Sequence, residues 1–293
     1  MSEPNSASSP RLDVRKTYKL YVGGAFPRSE SGRSYPVHSA AGKLLAHAAQ
    51  ASRKDVRDAV VAARGAFAKW SGATAYNRGQ VLYRVAELLE GRRAQFVAEV
   101  ADAEGATEAE ASRQVDAAID RCVYYAGWAD KFAQVVGSTN PVAGPYFTFS
   151  LPEPTGVVAV LAPQDSSLLG LVSVLAPVLT TGNTAVVVAA QDRPLPAVTL
   201  TEVLATSDVP AGVVNMLTGF TAELAPWLAG HRDVNAIDLT GAAPGMRADL
   251  QAAAADNVKR VHVPRDTDWT AEPGLSRLTA FVETKTVWHP IGV

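Results

Sequence analysis

Thiols are almost absent from this chain. Its 293 residues include a single cysteine, Cys122, so no intrachain disulfide can form, and the composition fits a reducing compartment. Histidine is sparse too: His38, His47, His231, His262 and His289 are scattered, without the close spacing that a metal site requires. Charge is low and balanced, with 27 basic and 29 acidic side chains. A chain with no basic excess lacks the field that draws nucleic acid. No membrane span is expected. Ser166–Gln191 is free of charged residues, but Pro177 and the TTGNT turn that ends at Thr184 are expected to split it into a helix and a strand, each too short to cross a bilayer. Residues 1–17 are polar and Ser/Pro-rich, which reads as a flexible tail and not a secretory signal. The expected address is the cytoplasm.

What the chain does have is apolar surface. At 47% hydrophobic content it can bury a large core. Thr155–Asp192 carries the clearest pattern. A β-branched run (Gly156–Ala162) leads into a polar loop, an apolar helix-length segment (Ser167–Leu179), a Gly-Asn turn and a second run (Thr184–Ala190). Strands that lack hydrophobic alternation are buried on both faces, as in parallel sheets covered by helices. The loop then falls at the carboxyl end of the first strand, where open parallel sheets bind ligands.

The rest of the chain extends this unit. Lys19–Phe26 and Pro36–His47 read as short strands around Gly/Ser turns. Ser52 is a good N-cap for a helix over Arg53–Trp70, and further helices are expected over Tyr76–Glu90, Gln95–Ala103 and Glu108–Phe132. Pro145–Pro154 alternates as an exposed arm, confined by its prolines to an edge or to another subunit. Helices Leu195–Thr206, Thr221–Ala229 and Pro244–Ala255 then alternate with strands Val213–Leu217, Ala236–Thr240 and Lys259–Val263. Five strands alternating with helices describe a doubly wound, Rossmann-like α/β domain. Pro264–Arg277 is a polar loop, and Leu278–Trp288 reads as a final strand that needs a partner edge.

Several of these segments carry a family likeness. YYAGWADK (Tyr124–Lys131), EPTGVVAVLAP, LAPVLTTGNT, VPAGVVNMLTGF, NVKRVHV and the terminal ETKTVW resemble, in order and register, segments of aldehyde dehydrogenases. The resemblance implies a cofactor-domain-like body over residues 18–144 and 155–263. It also implies oligomerisation strands over 145–154 and 278–293, with residues 264–277 replacing nearly the whole catalytic domain.

Against the family pattern, the positions that carry chemistry have changed. The resemblance implies a nucleophilic cysteine in the missing domain; Cys122 instead reads as a small apolar residue on a helix face. The general-base glutamate is expected after KRV, where this chain has Pro264, which has no proton to exchange. The oxyanion asparagine of the family's P-W-N loop is replaced in Pro163-Gln164-Asp165, and a carboxylate there would repel a developing oxyanion. Asp165 reads as a solvated or N-capping carboxylate, and Ser166 and Ser167 as helix caps. The ribose-binding lysine and glutamate align with Val188 and Gln191. Of the pyrophosphate turn, Gly241 remains while its hydroxyls are gone. Gly219 and Phe220 match a family loop and read as a turn kept for folding. Catalytic residues are therefore expected to be absent, with no cofactor, NAD or NADP being the one the resemblance allows. The expected role is a non-catalytic subunit that forms homo-oligomers, or hetero-oligomers with an active aldehyde dehydrogenase that it stabilises or regulates. The alternatives are an NAD(P)-dependent oxidoreductase or nucleotide-binding protein whose partner supplies the cysteine, and a sensor with an altered pocket.

Overall fold

Buried alternation builds the centre of the molecule. A computed structural model describes residues 14–263 and 267–292. The N-terminal part holds β1 (Thr17–Tyr18), β2 (Ser34–His38) and β3 (Leu44–Ala49), then the helices α1 (Arg53–Ser71), α2 (Ala75–Gly91), α3 (Arg93–Glu104), α4 (Glu108–Trp128) and α5 (Phe132–Val136). Strands β4 (Ser138–Asn140) and β5 (Tyr146–Pro154) precede the alternating region. That region comprises β6 (Val157–Leu161), α6 (Leu169–Thr180), β7 (Thr184–Val188), α7 (Leu195–Thr206), β8 (Val214–Leu217), α8 (Thr221–Ala229), β9 (Ala236–Asp238), α9 (Arg247–Ala255) and β10 (Arg260–His262). The chain closes with α10 (Ser276–Thr279) and β11 (Val282–Pro290).

Strands β10, β9, β6, β7 and β8, in that order, form one parallel sheet. Along β6 and β7, successive side chains feed opposite cores. Val158, Val160, Ala185 and Val187 pack with α2, α3, α4, α6 and α7; Val157, Ala159, Leu161, Val186 and Val188 pack with α1, α8 and α9. The unbroken apolar runs are explained by this two-sided burial. Two helices that feed these cores start with reciprocal capping boxes, Ser52 with Asp55 on α1 and Thr107 with Glu110 on α4, each satisfying otherwise orphaned amides.

The structure corrects three expectations. Lys19–Phe26 is not a strand: Gly23 and Gly24 hold positive φ in a tight turn, and Tyr21 docks on Met216 as an isolated bridge. Helix α4 stops at Trp128, so Phe132 opens the separate α5. Finally, β5 is the middle strand of a second sheet, ordered β11-β5-β4. It pairs with β11 over its full length, from Tyr146↔Pro290 to Pro154↔Val282. Strand β4 covers only Thr148–Ser150, so Pro152 and Pro154 lie where β5 has one neighbour and their missing N–H groups cost no ladder bond. The terminal strand therefore finds its edge within this chain. It starts at Val282, after the helical turn α10, and not at Leu278.

Candidate functional site

At the carboxyl ends of the parallel strands the connecting loops surround a crevice of about 560 Å³. Gln164 and Asp165 enter it after β6, Gln191 and Asp192 after β7, and Thr240 to Pro244 after β9. The Gln164 side chain is spent on the backbone. Its Nε2 donates to the Ala162 carbonyl at 2.8 Å and its Oε1 accepts from the Gln191 amide at 2.9 Å. The amide therefore ties the ends of β6 and β7 together and does not point a donor at a ligand. Asp165 is exposed; among the described residues only its backbone carbonyl is engaged, by Arg193 Nη1 at 3.0 Å. It does not cap α6. Ser166 takes that part, its Oγ accepting from the Gly170 amide at 2.9 Å. Ser167 turns elsewhere, its N and Oγ both donating to Glu104 Oε1 at 2.7 Å. Glu104 escapes sequence reasoning because it lies on another helix, 63 positions away.

The other candidate positions are structural in their contacts. Val188 is fully buried at the end of β7. The Gln191 carbonyl accepts from the Tyr35 hydroxyl at 3.1 Å. Gly219 holds φ at +141°, and a Cβ there would lie 3.2 Å from the Ala51 amide nitrogen. Phe220 packs its ring 5.5 Å from that of Tyr35. Gly241 donates to the Leu161 carbonyl at 2.8 Å. A Cβ on it would sit 1.9 Å from the Ala162 carbonyl oxygen, so the backbone approach alone demands glycine. Pro264 lies outside the described residues.

These contacts decide how well a dinucleotide suits the crevice. Its lining includes the carboxylates of Asp165 and Asp192 and, among the described residues, no lysine or arginine. Arg193 and Arg247 are turned onto the Asp165 and Ala242 carbonyls. In the turn before α9, Pro244 has no N–H, and the Met246 amide already donates to Ala243. A pyrophosphate needs free amides and cations, and the residues present do not fit it.

The only thiol offers no chemistry either. Cys122 is 3% exposed within the core shared by α2, α4 and α6, and burial pushes its pKa up to about 12. A thiol held that far up supplies no thiolate near neutral pH. Among the described residues no group of His, Cys, Asp and Glu is placed to hold a metal, and no helix is long and apolar enough to cross a membrane.

Residues 267–275, which lead into α10, are fixed to the body of the protein. Arg121 on α4 donates through Nη2 to the Trp269 and Ala271 carbonyls at 2.8 and 3.1 Å, and the Tyr124 hydroxyl donates to Pro273 at 2.7 Å. Arg277 forms an ion pair of 2.9 Å with Asp238, which is fully buried at the end of β9. Trp269 and Leu275 pack on the main core. The segment expected as a plain polar loop is thus a docked one.

A parallel sheet wound on both faces by helices, with a crevice at its carboxyl ends, defines a Rossmann-like α/β protein. The family model described as "Aldehyde dehydrogenase family" matches residues 26–264. Retinal dehydrogenase 2 of Homo sapiens is 34% identical over 259 residues, which is 86% of this chain and 49% of that protein. The D-glyceraldehyde dehydrogenase (NADP(+)) of Thermoplasma acidophilum is 32% identical over 245 residues, 83% of this chain and 49% of its own length. Among solved structures, an NAD+ complex of aldehyde dehydrogenase from Bacillus cereus superposes with a TM-score of 0.77 at 27% identity, covering 84% of this chain and 50% of that one. HpcC from Thermus thermophilus gives 0.79 at 29% identity, covering 84% and 47%. The chain belongs to the aldehyde dehydrogenase family, and it spans about half the length of the curated relatives it matches.

Proposed function

We propose that this protein is a non-catalytic member of the family, which assembles with itself or with an active aldehyde dehydrogenase and stabilises or regulates it. The observation that carries this reading is the docked connection. Where the resemblance implies a catalytic domain, the segment between β10 and β11 is short, and its part from residue 267 onward is held down by Arg121, Tyr124 and Arg277. The buried thiol, the occupied amide of Gln164 and the acidic crevice agree with it. Assembly is supported by the sheet of β4, β5 and β11. Phe147, Phe149 and Leu151 alternate onto one face of β5, with Phe147 49% and Leu151 42% exposed. Contiguous apolar surface of this kind is characteristic of partner sites.

The test is co-expression of the chain with an active aldehyde dehydrogenase from the same source, followed by size-exclusion chromatography and light scattering. The expected result is a species well above the 30.8 kDa monomer, reverting to monomer when Phe147 and Leu151 are both replaced by serine. A monomer in every mixture overturns the reading. NAD-dependent turnover by the purified mixed complex that requires this chain would favour the partner-complemented oxidoreductase instead.

A further inference from the structure

The docked residues from 267 onward line a second cavity, of about 460 Å³, which shares no lining residue with the crevice. Arg121 lines it and is only 8% exposed. Its Nη2 is satisfied by the two carbonyls of the connection. Its Nε and Nη1 have no hydrogen-bond partner, and no carboxylate pairs with it, among the described residues. A guanidinium with unpaired N–H groups favours an anionic partner. Arg277 lines the same cavity, but its charge is balanced by Asp238. Tyr125, 1% exposed, also faces it, and its hydroxyl has no hydrogen-bond partner among the described residues. Burial raises the Tyr125 pKa to about 12 while Arg121 and Arg277 pull it down, so both guanidiniums act on this phenol. Two carboxylates, Asp268 and Glu272, also line the cavity. Both residues are exposed, and that of Asp268 accepts from the Thr270 amide and hydroxyl. Among the described residues the inner wall therefore presents donors and one positive charge that no carboxylate pairs with.

We propose that this cavity binds a small metabolite through a carboxylate or phosphate group, which Arg121 and Tyr125 hold with Arg277 beside them. The volume suits a small molecule. Such a ligand supplies the counter-ion that Arg121 lacks among the described residues. By bridging α4 to the connection, it also stabilises the folded chain. The inference does not depend on whether the protein is catalytic or on its partner.

The experiment is calorimetric titration of the full chain with inorganic phosphate and with succinate at constant ionic strength, alongside thermal unfolding. Saturable binding of at least one probe with a rising unfolding temperature is expected, and which probe binds identifies the oxyanion. Arg121→Met should weaken that binding roughly tenfold to a hundredfold, the loss of a charge-assisted contact. Tyr125→Phe removes one oxygen, keeps the packing, and should weaken binding roughly threefold to tenfold; it carries the test if Arg121→Met does not fold. Asp192→Asn, in the crevice, should leave the affinity unchanged. The proposal is overturned if neither probe binds saturably, if affinity is unchanged in Tyr125→Phe and in folded Arg121→Met, or if Asp192→Asn weakens binding as much as they do.

Discussion

Replacing Arg277 by alanine removes the cation that faces Asp238, a side chain with 0% exposure at the end of β9. The carboxylate also accepts from the Thr240 amide at 2.9 Å and from the Thr240 hydroxyl, so it stays hydrogen-bonded after the change but loses its counter-charge. Removing one partner of a buried pair typically costs about 3–5 kcal/mol. The Thr240 donors place this case near the lower end, while loss of the Arg277 contact over the Trp269 ring, 5.5 Å from its centroid, adds about 0.5–1 kcal/mol. A destabilisation of about 3–4 kcal/mol is therefore expected. Asp238→Asn should cost less, because Arg277 retains 15% side-chain exposure and can turn to water. The double replacement Asp238→Leu with Arg277→Met should recover most of the loss, since an apolar pair carries no desolvation penalty. Urea unfolding followed by circular dichroism and tryptophan fluorescence gives the three values, with the denaturant slope as a check on two-state behaviour. If Arg277→Ala falls within about 0.5 kcal/mol of wild type, as surface changes do, the connection is not held by this pair and the reasoning fails.

Three further outcomes are expected. Gly241→Ala places a methyl group 1.9 Å from the Ala162 carbonyl oxygen and should destabilise by about 3 kcal/mol or more, read as a shifted urea midpoint; a neutral effect would mean that the β6 and β9 ends are not in contact. Burial raises the Glu99 pKa above its usual 4.5, so the folded state holds this proton more tightly than the unfolded one. That contribution is fully present below the unfolded pKa and is lost as pH rises through the folded value. Glu99→Gln should therefore raise the urea midpoint at neutral pH, with the gain shrinking as pH falls through the raised folded value towards 4.5; a gain independent of pH would contradict the assignment. Cys122, buried with its pKa at about 12, should resist a thiol reagent in the native protein and react fully once unfolded. Rapid native labelling would reopen it as a nucleophile.

Much of the fold was legible because local signals agreed with the tertiary structure. Helices α7 and α8 have the expected bounds, Leu195–Thr206 and Thr221–Ala229, since apolar residues fill them and turn residues flank them. The uninterrupted runs of β6 and β7 are buried on both sides, as their composition implied. Strands β9 and β10 are shorter than their apolar runs because their ends turn into loops. What escaped depends on distant partners. Nothing near Tyr146–Pro154 indicates that β11, more than a hundred positions later, makes it a central strand. Asp238 looks like a stray acid in an apolar strand until Arg277, 39 positions on, is seen against it. At the site, the substitution at Gln164 and the retained Gly241 could be read, but not their use: an amide bridging two strand ends, and a glycine required by a carbonyl. Arg121 carried no signal at all, because its partners are backbone carbonyls of the connection.

Under the proposed function the scaffold persists while its crevice does not hold the family's cofactor. Titration of the purified chain with NAD and NADP by calorimetry tests this most directly. No saturable heat up to roughly millimolar cofactor is the expected result, given two carboxylates and, among the described residues, no cation lining the crevice. A dissociation constant of roughly micromolar order, lost on Gly241→Val or on an Ala222→Glu change in the crevice wall, would contradict it.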